Sequence, residues 1–327
     1  MMRLKTKLLG LLNLMVATHA CAAPPAQVRQ QAPGYQRLAV GRYEVTALFD
    51  GYTDLSSGLL QGLPPEKVRE LLARQAIHGE KMPASFNVFL VNTGRHLVMI
   101  DGGAGHCMPD TAGQLITNII AAGYRPEQID TVLLTHLHLD HVCGLTDAAG
   151  KALFPNATVH ATRKEADFWL NPDNQAQAPE GAKKHFDAAR EALAPYRAAG
   201  RFQTFSPPQA PIPEVETSYA TGHTPGSAIY RFASDGAAIS FIGDLIHSAG
   251  VQFDHPYVSV RFDVDAQEAV QARRQAFTTL ARAGEWLAAA HLPFPGIGHV
   301  TQHGERFTWV PVAYGPYRRA ARVPFLK

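Results

Sequence analysis

Charge of one sign is what this 327-residue chain lacks most plainly: 30 lysines and arginines face 28 aspartates and glutamates. No basic stripe or acidic tail stands out, which argues against a nucleic-acid partner or a polybasic membrane patch. Cysteine is scarce, with three in the whole chain, too few for a disulfide scaffold or a cysteine-based zinc module. The most apolar stretch near the start, Leu8–Ala17, is too short to span a bilayer, and no other segment is long and apolar enough. The chain also has no Gly-x-Ser-x-Gly turn, on which serine esterases mount their nucleophile. No short repeat or low-complexity tract breaks it. With 46% hydrophobic and 18% charged residues, it has the composition of a globular protein with a large core.

Arg3, Lys5 and Lys7 precede the apolar stretch, and Ala20-Cys21-Ala22 follows with the small residues of a cleavage site. The pattern predicts a secretory signal peptide over residues 1–22 and an exported, periplasmic or secreted protein. A buried N-terminal helix is the competing reading. Cys21 leaves lipid attachment open, although Thr18 stands where a leucine is usual. Removing residues 1–22 takes away three basic and no acidic residues, so the two signs stay balanced to within one charge. Cys107 and Cys143 then remain. An oxidising compartment permits a bridge between them, and small buried free thiols fit the sequence at least as well.

Residues 23–36, rich in Pro, Gln and Ala, read as a loose arm ahead of a single domain over 37–327. Tyr43–Phe49 reads as a strand ended by an Asp50-Gly51 turn, and 52–84 as irregular apart from a helix from Pro64-Pro65-Glu66 to about Gln75. Strands Phe86–Asn92 and His96–Ile100 follow, then a helix from Asp110 to about Ala122 closed by Gly123, then the strand Thr131–Leu134. In the second half, helices Lys164–Leu170 and Ala182–Ala198 precede strands Glu216–Thr221, Ala228–Ala233 and Ala237–Ile242. A helix Gln267–Ala283 and a strand Trp286–Ala290 close the pattern. Strand pairs alternating with helices in both halves predict an α/β fold of two packed sheets with helices outside.

The run His136-Leu137-His138-Leu139-Asp140-His141 sits at the mouth of the Thr131–Leu134 strand. Three imidazoles and a carboxylate within six residues are poor packing material and good metal ligands. In an extended segment alternate residues share a face, so His136, His138 and Asp140 are expected together, with His141 turned toward a second ion. Further ligands are expected at other strand ends. His223 in Thr221-Gly222-His223-Thr224-Pro225-Gly226, Asp244 after Ile242-Gly243, and His291 after Trp286–Ala290 all qualify.

Taken together, HLHLDH, GHTPG, IGD and AAHLPFPGIGH resemble the metallo-β-lactamase superfamily over essentially the whole mature chain. Trp169 and the Phe294–His299 loop resemble in particular its methyl parathion hydrolase group, related to lactonases and aryl esterases. The resemblance implies a four-layer αββα fold, two mixed sheets sandwiched between helices. It implies that His136, His138 and His223 hold one metal, that Asp140, His141 and His291 hold another, and that Asp244 bridges them. Five imidazoles and two carboxylates suit two divalent ions, zinc first, with manganese, iron or cobalt as alternatives. Related enzymes are often homodimers. Two departures stand out: Asp101-Gly102-Gly103 replaces the usual Asp-Thr-Gly, and Ser227 stands where histidine is common. Neither position supplies a ligand, and Asp101 fits two roles equally well, orienting a ligand imidazole or capping a turn.

The expected chemistry is hydrolysis by a metal-bridging hydroxide, since a metal brings the pKa of bound water to about 7. Asp140 and Asp244 are the candidates to pass a proton to the leaving group. Trp169, Phe186, Met108 and His247 are the expected walls of a small-molecule pocket suited to a lactone, an aryl ester or a phosphotriester. The methyl parathion hydrolase group is more aromatic near Met108 and lacks a histidine at the place of His247, which turns the expectation toward lactones and carboxylic esters. A β-lactamase is disfavoured by Asp244, and a glyoxalase II-like thioesterase by export. A metal-bearing binding module is the non-enzymatic alternative.

Overall fold

The computed structural model describes residues 26–317. The expected signal peptide, residues 1–22, lies outside the described residues. The folded unit starts at Pro33 and its first strand at Tyr35, two residues inside the expected arm.

The segment Val88-Phe89-Leu90-Val91 shows how the layers form. Val88 and Leu90 pack against helices on one side, while Phe89 and Val91 face the opposite sheet. A strand buried on both faces reads as a continuous apolar run. Val132-Leu133-Leu134 divides in the same way.

Among the described residues, seven strands make the first sheet. Their spatial order is Tyr35–Val40, Tyr43–Ser56, Lys81–Asn92, Leu97–Ile100, Thr131–Leu133, Thr158–Thr162 and Phe202–Phe205. Six make the second: Val215–Tyr219, Ala228–Ser234, Ala237–Phe241, Trp286–Ala288, Ile297–His303 and Arg306–Pro311. In both sheets the spatial order follows the chain. Both mix parallel and antiparallel pairs. Between them lies a core that includes Phe89, Ile100, Tyr230, Phe232 and Phe241. The helix Glu180–Ala198 covers the outer face of the first sheet with Ala189, Leu193 and Tyr196. The helix Ala266–Ala283 covers the second with Ala276, Phe277 and Leu280. The result is the expected four-layer arrangement. No described helix is long and apolar enough to cross a membrane.

Three local expectations are corrected. Asp50-Gly51 is not a turn: the strand Tyr43–Ser56 runs on through a bulge there, paired with Lys81–Asn92 from Glu44↔Asn92 to Ser56↔Lys81. Much of 52–84 is therefore sheet. The bulge exists for the Asp50 carboxylate, which is buried and accepts four backbone N–H groups, from Ala104, Gly105, Gly113 and Leu115. Those bonds also shorten the helix expected from Asp110, because the chain first wraps around Asp50 and turns helical only over Leu115–Ala121. Finally, the histidine run is not extended throughout. It enters a short helix, Leu139–Val142, which turns Asp140 away from the side shared by His136 and His138.

The parallel strands set the site. Asp101 follows Leu97–Ile100, and the histidine run follows the adjacent Thr131–Leu133. In the second sheet Ala237–Phe241 runs parallel to Trp286–Ala288, and Asp244 and His291 follow their ends. The carboxyl ends of parallel strands are where loops can converge side chains on a ligand.

Cys107 and Cys143 form a disulfide spanning 36 residues. It ties the loop after Asp101 to the residue immediately beyond the Leu139–Val142 helix. Closing a loop of that length lowers the entropy of the unfolded chain, worth about 2–4 kcal/mol. The double variant Cys107→Ala/Cys143→Ala is expected to lose about that much in urea unfolding. An unchanged midpoint and slope would show that the bridge contributes nothing.

Candidate metal centre

The site is built around one carboxylate. Asp244 is buried, and its Oδ2 lies 3.0 Å from His291 Nε2, 3.2 Å from His247 Nε2, 3.3 Å from His223 Nε2 and 3.6 Å from His136 Nε2. Its Oδ1 lies 3.1 Å from His141 Nε2. His138 joins through Nδ1, 3.1 Å from His223 Nε2. Asp140 stands at the edge, its Oδ2 3.4 Å from His291 Nε2 and 3.7 Å from His141 Nε2, with 15% of its side chain exposed. Two groups of possible ligands result: His136, His138, His223 and Asp244, and Asp140, His141, Asp244 and His291. Asp244 belongs to both.

The far side of most rings is anchored. His141 Nδ1 donates to Asp101 at 2.9 Å, His223 Nδ1 to Asp263 at 2.9 Å, and His291 Nδ1 to the Ser85 carbonyl at 2.9 Å. His136 Nδ1 donates to Thr135 Oγ1 at 3.1 Å, and that hydroxyl donates to Asp101. A ring that donates from Nδ1 keeps a lone pair on Nε2 in its neutral form. Four rings thus aim Nε2 lone pairs at one another and at Asp244. His136 Nε2, His141 Nε2 and Asp244 Oδ1 are buried with no aligned hydrogen-bond partner.

A cation resolves this arrangement. Ligand atoms on a tetrahedron with metal bonds near 2.0–2.1 Å lie about 3.3 Å apart, and the separations around Asp244 run from 3.0 to 3.6 Å. Imidazole and carboxylate donors suit zinc and its neighbours in the first transition row. Without a cation, the electrostatics of the site would favour protons on some of these rings and not on others. Burial pulls His136 and His138 well below the usual imidazole range. Burial also pulls down on His223, but hydrogen bonds to Asp244 and Asp263 and their charges outweigh it, pushing that ring up to about 9. The same contest, won by Asp244, Asp101 and Asp140, lifts His141.

The loops that carry the ligands are clamped by a buried acid, Glu165, that no motif singles out. Glu165 accepts the N–H of Leu137 at 2.9 Å, the N–H of Gly226 at 2.8 Å and the Thr224 hydroxyl at 2.8 Å. One carboxylate thereby joins the histidine run to the His223 loop. Gly226 must be glycine, because a Cβ there would sit 2.2 Å from the Glu165 backbone nitrogen. On the other side Asn87 donates to the carbonyls of Ala289 and Leu292, holding the His291 loop against the first sheet. Both departures from the resemblance fit locally. A Cβ on Gly102 would lie 2.9 Å from the Leu145 side chain, and Ser227 hydrogen-bonds Thr224 within its own loop.

A cavity of about 600 Å³ opens beside His138. Trp169 and Phe186 line it with Phe168, His185 and Phe262. Met108 does not line it and packs instead on Phe86, Ala104 and Ala112. His247 is no wall residue either: it is buried against Asp244 and stacked on His291, ring centres 5.0 Å apart. Its position is fixed by Gln252, which accepts its backbone N–H. A second cavity, of about 550 Å³, lies between the second sheet and the helix Ala266–Ala283, and none of these ligands lines it.

Two outcomes are expected. Glu165→Gln puts an amide N–H where backbone N–H groups seek an acceptor, and should cost about 1–3 kcal/mol of stability, read by thermal or urea unfolding. A cost within error would show that the three bonds do not matter. Metal uptake by the metal-free protein at neutral pH should release protons, because His223 must lose the one that its raised pKa retains. Affinity should therefore fall as pH is lowered from about 9 toward 6. Calorimetry in two buffers of different ionisation enthalpy measures the release, and identical heats would contradict it.

Residues 85–306 match the family model of the metallo-beta-lactamase superfamily. Among solved structures the chain is similar to the hydrolase AbOPH, described as in the beta lactamase superfamily, at 39% identity. That likeness covers 88% of this chain and all of that one, with a TM-score of 0.84. It is also similar in fold to AidC, a dizinc quorum-quenching lactonase solved with its product, at 24% identity over 86% of this chain and 99% of that one, with a TM-score of 0.79. A probable metal-dependent hydrolase from Staphylococcus aureus shares the fold at 18% identity, over 85% of this chain and 100% of that one, with a TM-score of 0.70. A search of curated proteins found no match. The family model spans well over half the chain, and its histidines and aspartates converge as a metal site requires: the chain belongs to the metallo-beta-lactamase superfamily and is a metal-dependent hydrolase.

Proposed function

We propose that the protein is a dinuclear hydrolase of lactones and carboxylic esters that carry an apolar acyl or aryl part. The observation that carries this reading is the shared carboxylate, Asp244, common to two ligand groups that adjoin an aromatic cavity. His136, His138, His223 and Asp244 would hold one ion, and Asp140, His141, His291 and Asp244 the other. Bound divalent ions would supply Lewis acidity and a water ionised near neutral pH.

The chain's own residues do the rest. Asp101, Asp263 and the Ser85 carbonyl keep the ligand rings in one tautomer, so the centre is organised before substrate arrives. Trp169, Phe168 and Phe186 offer an apolar wall that excludes water from the reacting bond. Asp140, the most exposed of the ligands, receives the proton and passes it to the leaving oxygen. The lactonase AidC, whose structure holds N-hexanoyl-L-homoserine as product, supports an acylated lactone as one substrate. The signal-like N-terminus supports export, and the Cys107–Cys143 bridge supports an oxidising compartment.

Chelation followed by dialysis is expected to abolish hydrolysis, and restoring zinc, manganese, iron or cobalt to return it. Full activity in demetallated protein would sink the proposal. A panel of lactones, aryl esters and phosphotriesters, compared by kcat/KM, reports transition-state preference directly. Lactones or carboxylic esters should lead by at least tenfold, and a lead for phosphotriesters would reverse the assignment.

A further inference from the structure

His185 is a polar residue of the cavity that packs directly on a ligand ring, that of His138, without joining the ligand set. It rises from the helix Glu180–Ala198, one residue before the fully buried Phe186. Its ring centre lies 4.4 Å from that of His138 and 6.0 Å from that of Trp169, so it stands where the ligands meet the aromatic wall. Its Nδ1 accepts the backbone N–H of Leu139 at 3.2 Å. Leu139 opens the short helix Leu139–Val142, and an N–H at a helix start has no partner within the helix. The backbone itself thus fixes the tautomer: a nitrogen that accepts an N–H carries no proton, and the neutral ring's hydrogen sits on Nε2. Among the described residues no protein group pairs with that Nε2–H, and His185 lines the cavity.

The cavity holds other donors, Asn174, Gln177, Lys184 and Arg261, but the His185 ring stands where the aromatic wall meets the ligand His138. Trp169, Phe168 and Phe186 favour a hydrocarbon chain. A carbonyl buried among them without a donor would lose its hydrogen bonds to water. We propose that His185 determines specificity by donating its Nε2–H to a second carbonyl oxygen of the substrate, one beyond the scissile ester or lactone. An acylated amino lactone carries such a carbonyl in its amide. The assignment rests on the ester and lactone reading above and names the substrate class within it.

Two variants separate this role from the capping of Leu139. His185→Asn leaves an acceptor near the place of Nδ1 and puts its N–H donors near the place of Cδ2, away from that of Nε2. His185→Gln returns an N–H near the place of Nε2. The metal-loaded full protein is assayed on an N-acyl amino lactone and on an alkyl lactone of equal chain length. Affinity for the two hydrolysed products and metal content are measured alongside.

For His185→Asn, kcat/KM and product affinity should fall about tenfold for the acylamino pair, and stay within about twofold for the alkyl pair at unchanged metal content. His185→Gln should recover part of the loss. Equal losses on both pairs would assign His185 to the Leu139 cap alone and overturn the proposal, as would no loss on either. Wild-type protein that neither turns over nor binds any of these lactones or products would overturn the ester and lactone reading itself, and the assignment with it.

Discussion

A buried carboxylate surrounded by imidazole lone pairs is the constraint on which the rest depends. Asp244 is 3% exposed in its side chain, and five imidazole nitrogens lie within 3.6 Å of its two oxygens. Removing that much polarity from water is costly unless positive charge compensates it. The chain supplies the compensation by geometry: neutral rings, anchored from behind, leave a space that only protons or cations can fill. Their ligands come from both sheets, so the sandwich has to hold its two layers in one register for the centre to exist.

Beside the hydrophobic core that both sheets share, polar side chains inside the loops reinforce that register. Asp50, Glu165 and Asn87 are all buried, and each directs hydrogen bonds to backbone groups of the loops, Glu165 to the Thr224 hydroxyl as well. The loops after parallel strands can be long and irregular here because these residues replace the ladder bonds that a strand would have had. Rigidity at the site is therefore distributed through three clamps, each reaching a different loop.

Much of this was legible in the sequence. Apolar runs such as Val88–Val91 revealed strands buried on both faces, and chemistry-bearing residues just past the strand ends pointed to His223, Asp244 and His291. What escaped did so for physical reasons. An Asp-Gly pair reads locally as a turn, whereas Asp50 sits in a bulge whose purpose lies more than fifty residues away in the chain. Period-two reasoning placed Asp140 with His136 and His138, because nothing at Leu139 marks the switch from extended to helical backbone. Glu165 lies in a charged stretch, Arg163–Asp167, that reads as a solvated helix face, and only tertiary structure buries it. His185 shares that limitation. Met108 lies outside the lining of the cavity because the loop after Asp101 turns it onto Phe86, Ala104 and Ala112, a direction that nothing local in the sequence marks.

The ligands and the cavity wall come from different stretches of chain. The ligands hang from strand ends, whereas Trp169, Phe168 and Phe186 stand on the helices Arg163–Trp169 and Glu180–Ala198, and Phe262 on a separate loop. Mutation can therefore remodel the wall without touching a metal ligand, and the two can diverge at different rates over evolutionary time. Chemistry becomes the inherited part of such a protein and substrate preference the part open to drift, with the contact between His138 and His185 as the seam where one meets the other.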